Sequence, residues 1–375
     1  MAREMRLGIN GWRLHGRLTG VGRYLQNVIG RWTRDVVGDR FEEVTLYTPR
    51  ALDRKRIGLP DHFRERVLPS DAPMLVWENT RLAAIADDDV VFHPSYSRPL
   101  ISRGRTVVVT YDATSQLYPE LFPVSVRLFY NRLYGWSARR ATAVITMTET
   151  ARNEIADCWD VDRDKIEVIR LAPAEVFHPL EDRPRATEFA AGMVGEEAPF
   201  FLFVGKLSGR RNIPVLMEGF AGFKRRTGAS HRLVMVGPAT GEAWIGELAE
   251  RHGVSGDVVR GRYVTDDELN LLYNAATALI MPSTYETISF PVMEAQATGT
   301  PVVCVDTPGA RENAGGAALF VSRMAAPELA EALARLASDE SLRADLAARG
   351  LAHSRTFSWP RSATETLDVL ARAAS

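Results

Sequence analysis

Short apolar runs recur along the chain, and most are followed by a stretch with helical amphipathic spacing. Residues 7–9, 44–47, 90–92, 106–110 and 143–146 form one series; residues 200–204, 233–236, 278–281 and 301–305 form a second. Runs this short and this apolar fit strands buried on both faces, and strands alternating with helices give parallel sheets rather than hairpins. Two series imply two α/β domains. Between them, residues 172–199 carry Pro173, Pro179, Pro184 and Pro199 among charged residues with no clear period, which reads as a linker. The expected division is therefore a first domain at 1–175, a linker at 176–198, a second domain at 199–356 and a closing segment at 357–375. Residues 327–336 and 342–350 read as helices, and Phe357-Ser358-Trp359-Pro360 interrupts the pattern before a last helix at 362–374.

Composition narrows the function. The chain has 375 residues, 46% of them hydrophobic, which is enough to bury two cores and excludes disorder, collagen or coiled coil as a description of the whole. Lys and Arg number 46 against 47 Asp and Glu, so no compositional case exists for a general nucleic-acid binder and no nucleic-acid partner is expected. Any polyanion site has to be local. Cys158 and Cys304 are too far apart for a metal motif and too few for a disulfide framework, which points to a reducing compartment. No run approaches the roughly 18 apolar residues of a spanning helix, and residues 1–10 lack a signal-like stretch, so the expected location is the cytoplasm.

The strongest local signal is Pro282-Ser283-Thr284-Tyr285-Glu286-Thr287-Ile288-Ser289-Phe290-Pro291-Val292-Met293-Glu294-Ala295, followed by Gly299-Thr300-Pro301-Val302-Val303. It directly follows a buried strand. Pro291 suits the first turn of a helix, Ser289 is placed to cap it and Gly299 to end it, which predicts a helix over 290–298. The N–H groups of Ile288, Ser289 and Phe290 would then face a crevice at the carboxyl edge of a sheet, a setting for phosphate or sugar ligands. Glu286 and Glu294 frame that helix start. A plain helix cap with a solvated glutamate accounts for the same residues.

Glu286 and Glu294, with seven residues between them and Ala295 and Gly299-Thr300-Pro301-Val302-Val303 following, resemble the Glu-x7-Glu signature of glycosyltransferase family 4. The resemblance extends to Val204-Gly205-Lys206-Leu207 with Arg210-Arg211-Asn212-Ile213-Pro214, to Arg260-Gly261-Arg262-Tyr263-Val264, to Thr19-Gly20-Val21-Gly22-Arg23-Tyr24 near the N-terminus and to Phe357-Ser358-Trp359. It implies a GT-B fold: two Rossmann-like domains with parallel sheets facing a central cleft, and a C-terminal helix crossing back to the first domain. It also implies a retaining transferase that moves a hexosyl group from a nucleoside diphosphate sugar, GDP-mannose or a UDP-sugar, to an acceptor hydroxyl of a carbohydrate or lipid-linked molecule in glycoconjugate synthesis.

In that frame Glu286 meets the sugar and Glu294 the ribose, with Arg260 and Arg262 near the base. Gly20, Gly22, Lys206, Arg210, Arg211 and the Ile288, Ser289 and Phe290 amides meet the diphosphate. Lys206 and Arg211 can offset charge that grows on the diphosphate as the sugar bond breaks. Lys206 is one of only four lysines, whereas arginine is abundant and Arg210 or Arg211 alone fits a surface cation equally. Gly20-x-Gly22 also fits a tight turn, and Arg260 to Tyr263 a solvated loop. No cofactor is expected beyond the nucleotide-sugar co-substrate, and no metal, since no paired-carboxylate metal motif is present.

Two departures from the family pattern stand out. Where members commonly have His before Asp, this chain has Tyr111-Asp112, and tyrosine, with an ordinary pKa of about 10, is a poor proton acceptor near neutrality. A core aromatic fits Tyr111 as well. Glu286-Thr287-Ile288-Ser289 replaces the commoner Glu-Gly-Phe-Gly, adding side chains where the sugar lies. His93 follows a strand of the first domain and can face the acceptor or be a buried polar group. These departures keep two alternatives open, a non-catalytic nucleotide-sugar-binding or scaffold subunit and a nucleotide-sugar epimerase of the same fold. Residues 124–140, with Arg127, Phe129, Tyr130, Arg132, Tyr134, Trp136, Arg139 and Arg140, read as an amphipathic helix whose outer face is either solvated or in peripheral contact with anionic lipid at the inner face of the membrane.

Overall fold

Every residue of the strand Phe200–Val204 is buried, and alternate side chains enter different cores. Phe201 and Phe203 join Leu233, Met235, Ile280 and Val303, while Phe200, Leu202 and Val204 join Val234, Leu279 and Val302. A strand buried on both faces has no polar side to present, so its sequence is one apolar run.

The computed structural model describes residues 5–375 apart from 17, 19, 208–210, 239–242 and 323–324, and apart from the side chains of Leu121 and Ala243. It divides into two units, one formed by the residues up to 171 together with 358–375 and the other by 172–357. The first unit holds seven parallel strands: β1 (Arg6–Asn10), β2 (Glu43–Thr48), β3 (Arg64–Val67), β4 (Val90–His93), β5 (Arg105–Val109), β6 (Ala143–Thr146) and β7 (Ile166–Val168). Their order is β3-β2-β1-β4-β5-β6-β7. The second holds six: β8 (Phe200–Val204), β9 (Arg232–Val236), β10 (Val258–Arg260), β11 (Ala278–Met281), β12 (Val302–Val305) and β13 (Leu319–Val321), in the order β10-β9-β8-β11-β12-β13. Both sheets are Rossmann-like. Their strand order reverses between β1 and β4 in one and between β8 and β11 in the other, and it is at the carboxyl ends beside such reversals that open parallel sheets bind ligands.

The helices that bear on the site are α1 (Gly20–Ile29), α2 (Asn131–Arg140), α3 (Arg183–Val194), α4 (Asp266–Ala275), α5 (Phe290–Thr298), α6 (Pro308–Ala314), α7 (Glu340–Ser354) and α8 (Trp359–Ala374). Two sequence expectations are corrected among them. The linker placed at 176–198 is instead part of the second unit: Pro184 stands in the first turn of α3, and Ala190 packs with Leu272 and Tyr273 of α4. A proline at a helix start looks like a linker proline when the apolar spacing behind it is sparse. The single helix read over 124–140 begins as a π-helical segment, Val126–Tyr130, and becomes α-helical only at α2.

The closing helix belongs with the first unit, where it packs on α1 and β5 and the buried Trp32 donates its indole N–H to the Ala363 carbonyl at 2.9 Å. Among the described residues no helix is long and apolar enough to cross a membrane.

Candidate functional site

In the second unit β8 leads into Gly205, whose N–H donates to the Val236 carbonyl at 2.9 Å. The next strand, β9, leads into Gly237, which has φ +143°, and a Cβ there would clash with the Gly205 carbonyl. Two glycine backbones in contact thus close the carboxyl edge of β8 and β9. Lys206 follows and is exposed. Arg211 turns inward beside the reversal between β8 and β11: its Nη1 lies 2.7 Å from Glu286 Oε1 and 3.2 Å from Ser283 Oγ, and its buried Nε has no hydrogen-bond partner. The Arg211 and Glu286 side chains are 14% and 7% exposed. The structure therefore joins the residue assigned to phosphate with the residue assigned to sugar in one partly buried ion pair. Burial, followed by the Glu286 charge, pushes the neighbouring Cys304 thiol up to about 12, so that cysteine is an inert core group. Arg210 lies outside the described residues.

The helix start is built as the sequence predicts in its bounds but not in its cap. Pro291 is in the first turn of α5, and Gly299 ends it in the left-handed region at φ 77°. Ser289 makes no side-chain cap; its hydroxyl, in a residue 2% exposed, has no hydrogen-bond partner. Its N–H, expected to face phosphate, is instead taken by Asn313 Oδ1 at 3.0 Å. Asn313 Nδ2 donates to the Thr287 carbonyl at 2.9 Å and to the Gly309 carbonyl at 2.6 Å. A Cβ at Gly309 would clash with the Glu286 carbonyl, so α6 approaches the 286–289 loop closely enough to fix it. Ile288 and Phe290 are half-buried at the helix start. Glu294, one turn further, accepts a hydrogen bond from the Tyr273 hydroxyl at 2.9 Å. Arg260 ends β10, its Nε buried; Arg262 donates at 2.6 and 3.0 Å to Glu268, the residue that also completes the capping box of α4.

In the first unit, Gly20 opens α1 and is exposed, with room for a side chain, whereas a Cβ on Gly22 would come within 2.6 Å of the Arg13 carbonyl. Gly22 thus serves packing of α1 on the preceding turn. His93 ends β4 at 1% exposure; burial, then the charge of Arg98, lowers its pKa to about 3, so it is a neutral buried histidine. The Tyr111 hydroxyl donates to the Pro94 carbonyl at 2.9 Å, and burial raises its pKa, which removes it as a base. Asp112 accepts the Thr114 N–H at 2.9 Å. Beside them lie residues the sequence reading passed over: Asn10, Arg13, Glu78, Ser95, Tyr96 and Ser97. Among the described residues no three His, Cys, Asp or Glu side chains form a metal-ligand cluster.

Two parallel-sheet units, each with polar groups gathered at its strand reversal, define the GT-B class of glycosyltransferase, and the comparisons agree. Solved structures of a glycosyltransferase from Rickettsia africae (TM-score 0.72, 15% identity, 100% of this chain and 99% of that one) and of Anabaena HepE with UDP and glucose (0.74, 16%, 98% and 99%) share the fold. Residues 18–171 match the model described as Glycosyltransferase Family 4, and residues 184–353 match the one described as Glycosyl transferases group 1. The chain belongs to glycosyltransferase family 4. Among curated relatives, it is 26% identical to the O-antigen chain mannosyltransferase B of Escherichia coli over 94% of this chain and 96% of that protein. It is 30% identical to the D-inositol 3-phosphate glycosyltransferase of a Nocardioides species, with 62% of this chain covering 54% of that protein.

Proposed function

We propose that the protein is a retaining hexosyltransferase that uses a nucleoside diphosphate sugar and transfers the sugar to a hydroxyl of a carbohydrate or lipid-linked acceptor in glycoconjugate synthesis. The observation that carries the reading is the Arg211–Glu286 pair at the start of α5, with Glu294 one turn on and oriented by Tyr273. In the reaction the bond between the anomeric carbon and the β-phosphate oxygen breaks. The diphosphate leaves with the electron pair, and the acceptor oxygen bonds to the same face of the sugar as its proton passes to the departing phosphate oxygen. Lys206 and Arg211 supply cationic charge where the leaving group becomes more negative, without a metal ion. Glu286, fixed by Arg211, accepts from sugar hydroxyls, and Glu294 from the ribose.

The extent of the match to a mannosyltransferase makes GDP-mannose the first donor to test, ahead of UDP-sugars. Exposed Val124, Leu128 and Phe129, flanked by Arg127 and Arg132, suit peripheral contact with an anionic membrane in the same reading. Incubation of purified protein with a panel of nucleotide sugars and mannose oligosaccharides tests it. Transfer or slow donor hydrolysis is the expected result. Binding without turnover would instead make this a non-catalytic subunit, and an isomerised donor would make it an epimerase.

A further inference from the structure

The crevice between β1 and β4 contains a buried acid to which the reaction outlined above gives no task. Glu78 is 1% exposed and opens a π-helical segment, Glu78–Leu82, a local irregularity that often marks functional sites. Its Oε1 accepts from Asn10 Nδ2 at 2.7 Å and its Oε2 from Ser97 Oγ at 2.8 Å. Asn10 is the last residue of β1, and its Oδ1 accepts the Trp12 N–H at 3.1 Å. Ser97 lies in the loop after β4, where Ser95 Oγ accepts from Arg13 Nη2 at 3.2 Å. One carboxylate therefore ties the end of β1 to the 94–97 loop across the strand reversal.

Between those two serines Tyr96 has φ 42°, a backbone conformation that a bulky side chain adopts only when its surroundings enforce it. The enforcement is visible: its N–H donates to the Val109 carbonyl at 2.7 Å, and Ser95 and Ser97 are pinned on either side. So held, the Tyr96 ring stacks on Tyr134 with centroids 4.7 Å apart and lies 5.5 Å from Tyr111, and burial followed by the nearby Asp112 charge raises the pKa of its hydroxyl. We infer that Glu78 is a positioning residue for the acceptor half of the transfer reaction: through Asn10 and Ser97 it holds Tyr96 in its strained conformation and so sets Tyr96 and Asp112 at the crevice that receives the acceptor. This rests on the glycosyltransferase reading given above.

A brace alone does not call for an ionisable group, because a buried amide of the same shape is less costly to desolvate. The carboxyl is pushed up to about 7 by burial, against the opposing pull of its hydrogen bonds from Ser97 and Asn10 and of the Arg13 charge. The charged and titratable groups facing it are Arg13, from the turn after β1, and Tyr134 of α2. Ionised, Glu78 accepts from both partners. Protonated, it can donate to Ser97, whose hydroxyl then turns to its second acceptor, the Ser95 carbonyl at 3.2 Å. The hydrogen-bond direction on one side of Tyr96 thus depends on pH.

The test is transfer from GDP-mannose, or whichever donor the panel selects, to a soluble mannose disaccharide, with calorimetry of the free nucleoside diphosphate alongside. Wild type, Glu78→Gln, Ser97→Ala and Tyr96→Gly are compared, and Ser97→Ala removes one arm of the brace should Glu78→Gln fold poorly. Each variant is expected to raise the acceptor KM by up to about tenfold, the size of one lost neutral hydrogen bond, with nucleoside diphosphate affinity unchanged. The wild-type acceptor KM is expected to rise as pH falls through about 7, and that inflection to be absent in Glu78→Gln. An inflection that persists in Glu78→Gln, or equal losses in acceptor KM and nucleotide affinity, would overturn the assignment. A wild type that neither binds any nucleoside diphosphate nor transfers sugar would bring down the glycosyltransferase reading itself, and the role of Glu78 with it.

Discussion

Lys206 and Arg211 were assigned one task by sequence, and their settings make their removal distinguishable. Arg211→Ala leaves the Glu286 carboxylate buried without its partner, an arrangement that costs about 3–5 kcal/mol, so a marked fall in Tm is expected by calorimetry together with weaker nucleotide binding. Lys206 is exposed, and Lys206→Ala is expected to leave Tm unchanged while weakening a nucleoside diphosphate about tenfold, and the nucleoside alone not at all. Equal losses for the two ligands would remove Lys206 from the phosphate site. Glu78 gives a pH signature in stability as well. Its folded pKa of about 7 lies above the 4.5 of a free glutamate, so the native state holds the extra proton across that window. The stabilisation is complete below pH 4.5 and is lost as pH rises through about 7, by up to about 3 kcal/mol. Urea unfolding from acid to neutral pH is expected to show this fall in wild type and a flatter profile in Glu78→Gln; parallel profiles would show that the carboxyl is not shifted. Glu286 and Glu294 were legible because both flank one helix start. Glu78, Asn313 and Tyr273 were not, because each meets its partner only after the chain has folded back: Asn10 is 68 positions from Glu78, Ser289 is 24 from Asn313, and Glu294 is 21 from Tyr273.

Among the elements, α5 owes the shape of its entry loop to α6. Asn313→Ala would leave the buried Thr287 carbonyl and Ser289 N–H without their partner, at about 1–3 kcal/mol for each unsatisfied group. Lower Tm and weaker donor-sugar binding are expected, with Asn313→Asp intermediate because it keeps the acceptor for Ser289 and loses the donor to Thr287. Full donor affinity in Asn313→Ala would mean that the loop holds its shape unaided. Leu128→Asp and Phe129→Asp, at positions 60% and 59% exposed, are expected to retain the wild-type Tm and to reduce cosedimentation with anionic vesicles; unchanged cosedimentation would show that this face is merely solvated. Legibility at this scale follows burial. The interior strands announce themselves as apolar runs, whereas β3, β7, β10 and β13, which the run pattern omits, are the four sheet edges. Edge strands are short and partly exposed, and the sequence Arg64-Glu65-Arg66-Val67 has no apolar run to find.

At the scale of the whole molecule, the chain leaves the first unit after residue 171, builds the second, and re-enters the first at 358. Leu367 and Leu370 of α8 are fully buried there, and Trp32 has its indole partner on the same helix. A chain stopped at 357 is expected to show rapid hydrogen exchange through β1 and β4–β6 while β8, β9, β11 and β12 remain protected; equal protection in both sheets would show that α8 is dispensable. The two-domain division was readable from the two strand series, but the membership of α3 was not, since its proline and charges hide a helix that buries only Ala186 and Ala190. The re-entry also orders events on the ribosome. The second unit has all of its residues in hand while the first still lacks α8, so the half of the protein that is translated first is the half that completes its folding second.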